Sequence, residues 1–153
     1  MKLKNSINKQ ASIIYRNSHI FFDHELAPYQ IGSGQQFFLL RIFEFPGISA
    51  LEIAKMGHYD KGTCARAIAK LCELGYVTRV VCDEDKRSSQ LFVSEQGIFV
   101  VKQTQLVLKK WNDILCQDLS LEEQKQMEEQ LTNMANRAFS YINKRKQENH
   151  AEK

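Results

Sequence analysis

The chain has 153 residues, 43% of them hydrophobic and 25% charged, and 21 Lys/Arg against 18 Asp/Glu leave a formal charge of +3. That composition excludes a disordered tail, and no uncharged apolar run reaches the ~18 residues a bilayer span needs, so no membrane contact is expected. The small positive charge names no partner by itself. Residues 49–94 hold seven Lys/Arg and six Asp/Glu, so the placement of the basic residues must decide. The start, Met1-Lys2-Leu3-Lys4-Asn5, is followed by no signal-peptide core or small-residue cleavage site, which predicts a cytoplasmic protein.

The two prolines, Pro28 and Pro46, stand in breaks between helical patterns, as helix breakers should. Ile7, Ala11, Ile14, Ser18 and Phe21 recur at four-three-four-three spacing and predict a first helix over 6–26. Residues 27–34 read as a loop. A second helix over 35–45, dense in Phe and Leu, should be buried. Ser49-Ala50-Leu51-Glu52 is a capping box that opens a short third helix to about Met56, and Gly57-His58-Tyr59 is a tight turn. Asp60 can cap a fourth helix over 61–74, with Gly75 where a left-handed stop is wanted.

The period then changes. Residues 76–81 and 90–93 are β-prone around the polar tip Asp83-Glu84-Asp85-Lys86-Arg87, which predicts a hairpin. Ser94 and Gly97 open a long fifth helix to about Gln117, and Ser120-Leu121-Glu122-Glu123 is a second capping box. The last helix places Met127, Leu131, Met134, Ala138 and Tyr141 on one face, and the polar tail 144–153 should fray. The prediction is a mainly α chain with one small β-hairpin.

The four cysteines, Cys64, Cys72, Cys82 and Cys116, have no zinc-ribbon or C-x-x-C spacing. A reducing compartment keeps them as thiols, and they read as small, mostly buried apolar residues. His19 and His24 are five apart and no Cys/His cluster occurs, so neither metal nor cofactor is expected. With no nucleophile–base pair and no phosphate loop, the chain does not read as an enzyme.

At 100° per residue, Cys64, Ile68 and Leu71 share one arc of the fourth helix, and Thr63, Arg66 and Lys70 fall on the opposite one. Small residues, Gly62 and Ala65, lie among them. A donor-bearing face of little bulk suits a major groove; the alternative is an amphipathic helix with a solvated face. The segment after it weighs for the first reading. Asp85-Lys86-Arg87, then Leu91 and Val93, then Ser94-Glu95-Gln96-Gly97 resembles the Asp-x-Arg wing followed by Leu-Thr-x-x-Gly of the multiple antibiotic resistance regulator (MarR) family, with Ser94 where that family usually has Thr. Asp60 to Arg66, Leu71 and Gly75-Tyr76-Val77-Thr78-Arg79 resemble the family's recognition helix and its exit, with Cys64 where the family commonly has Val or another small apolar residue.

The resemblance implies a winged helix-turn-helix lobe over 34–97 and dimerisation helices from 1–33 and 98–153. It implies that Thr63 and Arg66 face the groove of an operator DNA, that Lys61 meets phosphate near the start of the helix, and that Arg87 reaches the minor groove, oriented by Asp85. Lys70, on the outward arc, joins this set, and Ser49 and Arg79 add backbone contacts. A narrow A·T-rich minor groove attracts a guanidinium, which agrees with that role for Arg87. In the family, helices from both chain ends interlock across a two-fold axis, so the stripes from Ile7 to Phe21 and from Met127 to Tyr141 would be covered in a homodimer; a monomeric helical bundle is the alternative. A small aromatic or lipophilic effector is implied between the dimer helices and the lobe, with Arg16, His19, Phe22, Phe38 and Arg41 as candidates, although aromatics at helical spacing are usually packing. The implied function is a transcriptional regulator, a repressor relieved by its ligand on a pseudo-palindromic operator. Two other readings stay open: a redox-sensing regulator of the same fold using a reactive cysteine, Cys82 above all, and a winged helix that binds protein rather than DNA.

Overall fold

The computed structural model describes residues 6–81 and 88–151. Its elements are α1 (Ile7–Glu25), a 3-10 turn (Ala27–Tyr29), α2 (Gln36–Glu44), α3 (Ala50–Gly57), α4 (Lys61–Glu73), β1 (Val77–Val81), β2 (Ser89–Val93), α5 (Glu95–Leu115) and α6 (Leu121–Ala151). They form two compact units, Met1–Trp111 and Asn112–Lys153.

In the first unit, Ser6 caps α1 by accepting from Lys9 N at 3.2 Å. Pro28 seeds the 3-10 turn inside what the sequence predicts as loop, since its fixed φ suits a first turn. Phe38, Leu39, Leu40 and Ile42 of α2 are buried as expected. α3 opens on the predicted capping box: Ser49 N donates to Glu52 Oε2 at 2.8 Å and Glu52 N to Ser49 Oγ at 3.3 Å. It runs to Gly57, and the left-handed residue of the following turn is His58, φ 54°, not the glycine. Asp60 caps α4, which stops at Gly75 with φ +77°.

β1 and β2 pair antiparallel with Val77 opposite Val93 and Val81 opposite Ser89. One further pairing has no signature in the sequence. Gly47 N donates to Leu91 O at 2.8 Å and Leu91 N to Ile48 O at 3.1 Å, so the segment before α3 joins β2 from its other side. Two residues are too few to display an alternating pattern. The core lies where α2, α3 and α4 meet β2 and the start of α5: Phe38, Leu39, Ile42, Ile53, Ile68, Leu71, Leu91, Val100 and Val101 are all essentially inaccessible.

Ser94 ties three elements together. Its Oγ donates to Gly75 O at 2.5 Å and accepts from Gly97 N at 3.0 Å, while its own N donates to Tyr76 O at 2.9 Å. A Cβ on Gly97 would collide with the Tyr76 carbonyl oxygen. The Ser-x-x-Gly spacing thus closes the end of α4, the base of the hairpin and the start of α5 into one junction.

α1 is held by the C-terminal part of α5. Trp111 stacks on Phe21 with centroids 4.6 Å apart, its Nε1 donates to Ser18 Oγ at 2.9 Å, and Lys110 Nζ pairs with Glu25 Oε2 at 2.9 Å. The Ser18–Phe21 end of the α1 stripe is therefore covered within the chain, whereas Ile7 and Ile14 stay 62% and 46% exposed.

The second unit is dominated by α6. Ser120 and Glu123 form its capping box, with Ser120 N donating to Glu123 Oε2 at 2.7 Å and Glu123 N to Ser120 Oγ at 3.2 Å. Met127, Leu131 and Tyr141 are each at least half exposed, and among the described residues no α6 side chain is buried. The tail predicted to fray is helical through Ala151. Residues 144–151 hold no Gly or Pro and are rich in Lys, Arg, Gln and Glu, which propagate a helix once it is started. No helix among the described residues is long and apolar enough to cross a membrane.

Candidate nucleic-acid interface

α4 buries Cys64, Ala67, Ile68 and Leu71 and leaves Lys61, Arg66 and Lys70 exposed. Thr63 differs from expectation: it is half-buried rather than outward-facing. It lies one residue, or 100°, from Cys64 and so falls on the flank of the buried arc. Its hydroxyl donates to Asp60 Oδ2 at 2.6 Å and its amide to Asp60 Oδ1 at 2.8 Å, while Arg66 Nη2 donates to Thr63 Oγ1 at 3.3 Å. The Thr63 hydroxyl and amide, then the nearby Arg66 charge, hold the Asp60 carboxyl below its usual 3.8. Sequence reasoning found Asp60 as a cap but missed this connection to the side chains of the outer face.

Ser49 is committed to its capping box, with the hydroxyl donating to Glu52 Oε2 at 2.8 Å. Arg79 is exposed on β1, opposite Leu91. Asp85, Arg87 and Cys82 lie outside the described residues. Cys64 Sγ donates to Ala50 O at 3.2 Å, and burial first, then the Asp60 charge, raises its thiol above the usual 9.0. That disfavours the reactive thiolate. Cys72 and Cys116 are half-buried, so the expectation of buried thiols holds fully for Cys64 alone among the described cysteines.

The five effector candidates divide. Phe22 and Phe38 are core, 6% and 1% exposed. Phe22 meets Phe21 and Trp111, and Phe38 meets Phe37 and Tyr59. Arg16 is exposed and donates to Ser12 Oγ at 2.5 Å. His19 lies 4.2 Å from the Tyr15 ring, with Nδ1 3.4 Å from Ser33 Oγ. Arg41 pairs with Glu44 at 2.8 Å and lies over the Phe37 ring at 5.6 Å, and its Nε is buried without a hydrogen-bond partner. Tyr59, 5.3 Å from Phe37, has its phenol pushed above 10.0 by burial first and by Tyr15 second. Tyr15 thus stands beside His19, and Phe37 joins Tyr59 to Arg41; none of the three aromatics was an effector candidate from the sequence.

The family model for MarR matches residues 34–88. A solved MarR transcriptional regulator from Methanosarcina mazei Go1 is 32% identical with a TM-score of 0.78, covering 88% of this chain and 97% of that one. The chain belongs to the MarR family. Its mostly helical fold with one antiparallel hairpin is that of the MarR winged-helix regulators. Two curated relatives agree. The HTH-type transcriptional regulator BilQ of Clostridium symbiosum (strain WAL-14163) is 30% identical over 108 residues, 71% of this MarR-family chain and 75% of BilQ. The HTH-type transcriptional regulator YybA of Bacillus subtilis (strain 168) is 32% identical over 93 residues, 61% of this chain, and the match spans 62% of YybA's length.

Proposed function

We propose that this MarR-family chain is a sequence-specific DNA-binding repressor that acts as a homodimer on a pseudo-palindromic operator and is released by a small aromatic or lipophilic ligand. The observation that carries the reading is the outer side of α4, where Lys61, Arg66 and Lys70 stand exposed above a buried inner face. A helix of this kind in a winged-helix lobe suits the major groove. Arg66 takes a base edge, Thr63 supports it, Lys61 and Lys70 take phosphates, and Arg79 with the cap at Ser49 adds backbone contacts. Arg87, with Asp85 beside it, takes the minor groove, on the resemblance of the Asp-x-Arg sequence to the family's wing.

The homodimer is supported by the exposed apolar side chains of α1 and α6, since unpaired stripes of this kind ask for a partner helix. Two-fold dimers in turn read palindromic sites. The effector reading is supported by the aromatic pair Phe37 and Tyr59, with the Arg41 guanidinium over Phe37, and by His19 beside Tyr15. The unpartnered Arg41 Nε suits an anionic acceptor on an otherwise apolar molecule. Tyr59 immediately precedes Asp60, the cap of α4, so a ligand that shifts the Tyr59 ring shifts the start of α4 and favours one of two states.

The test is a binding titration against duplex DNA from 50 to 200 mM salt. Each neutralised phosphate contributes about −0.9 to the slope of log affinity against log salt, and two lobes should neutralise several. A flat dependence would point to a protein partner instead.

A further inference from the structure

Asp60 stands one residue before α4 and uses both carboxylate oxygens in its first turn. Oδ1 accepts from Thr63 N at 2.8 Å. That is ordinary capping, which serine or asparagine would supply as well. Oδ2 accepts from Thr63 Oγ1 at 2.6 Å, a bond that capping does not need. A hydroxyl has one proton. Thr63 has committed its proton to Asp60 and offers only lone pairs elsewhere, and Arg66 Nη2 donates to it at 3.3 Å.

Gly62 is the second observation. Its backbone is helical and positive φ is confined to Gly47 and Gly75 among the described glycines, so no turn requires a glycine here. Glycine also weakens a helix by about 1 kcal/mol against alanine. What the missing side chain leaves is room: a Cβ at Gly62 would come within 3.2 Å of Arg66 Nη1 and equally of Asp60 Oδ1. The guanidinium rests over the glycine.

We propose that Asp60 is a positioning residue for sequence readout: through the Thr63 hydroxyl it holds the Arg66 guanidinium in the pose from which it meets a base edge, and Gly62 is the seat that pose requires. This rests on the DNA-binding reading above. Charge alone predicts the opposite sign for Asp60, because removing a carboxylate next to a polyanion strengthens binding to any sequence. Loss of the Arg66 pose weakens the cognate site only.

The experiment uses the full chain. The wild type first selects a preferred site from a random-sequence duplex library, and affinities for that site and for random-sequence duplex are then compared at one salt concentration. Asp60→Asn keeps the capping oxygen and the shape but turns an amide donor toward Thr63, so the hydroxyl no longer has its acceptor. We expect about a tenfold fall in the ratio of selected-site to random-sequence affinity, the size of a disturbed bidentate contact. Random-sequence affinity should stay level or rise, and the helical content of the folded protein should be preserved. Thr63→Val should give a similar fall, with no further loss in the double variant. Gly62→Ala, whose Cβ would meet Arg66 Nη1 at 3.2 Å, should lower the ratio. A ratio for Asp60→Asn within twofold of wild type, equal losses on both DNAs, or full additivity in the double variant would each overturn the proposal while leaving DNA binding intact. If the wild type enriches no sequence at all, the DNA-binding reading itself falls, a result that needs no variant.

Discussion

Arg66 and Arg87 carry different halves of the recognition proposed above, and their alanine variants should separate. Arg66→Ala should relax preference at one defined step of each half-site, at about 1 to 3 kcal/mol for a bidentate contact. Arg87→Ala should matter most where A·T-rich flanks narrow the minor groove. Titration of both variants on a selected site and on a copy with G·C flanks checks this; equal binding of both copies by Arg87→Ala with no loss against the parent would remove the wing from the account. At the same scale, the sequence showed Asp60 as a cap because capping is local. The half-buried position of Thr63 was missed because a helical wheel assigns a flank residue to whichever face is named first.

At the scale of elements, α3, α4 and α6 are held at their starts by carboxylates. The Ser49 amide and then its hydroxyl hold Glu52 below its usual 4.5, and Ser120 does the same for Glu123. A carboxyl with a lowered folded-state pKa contributes stability above its unfolded value and loses it as pH falls through the folded one. The melting temperature should therefore hold down to pH 4.5 and decline below it, and Glu52→Gln with Glu123→Gln should flatten that acid limb. An acid limb unchanged in the double variant would mean these caps do not set it. The attachment of α1 makes a second element-scale test. Trp111→Phe keeps a ring on Phe21 but loses the bond to Ser18, and should cost about 1 kcal/mol. Trp111→Ala should cost about 3 kcal/mol. Urea unfolding followed by circular dichroism at fixed concentration reads both, and equal losses would mean the stack contributes nothing.

For the whole molecule, the decisive quantity is the apolar surface that one chain leaves open. Leu121 is 85% exposed and Ile20 69%, values a solvated monomer rarely tolerates along whole helix faces. Sedimentation at micromolar concentration should show a species of twice the 17.8 kDa chain. Ile14→Glu with Leu131→Glu should shift it toward monomer while helical content persists. A monomer in the parent protein would refute the homodimer and, with it, the pseudo-palindromic operator.

The sequence by itself determined the element order, the three carboxylate caps, the glycine stop after α4 and the Ser-x-x-Gly start of α5, because capping, periodicity and turn chemistry act within a few residues. It also carried the family, since spaced motifs survive in order along a chain. Only the tertiary structure decided the strand-like pairing of Ile48 with Leu91, the stack of Trp111 on Phe21 and the packing of Tyr59 against Phe37 and Phe38. It likewise placed Phe22 and Phe38 in the core and laid the Arg66 guanidinium over Gly62. Most of these contacts join residues far apart in the chain, and the last turns on a rotamer; packing in three dimensions selects both, and neither leaves a local period to read.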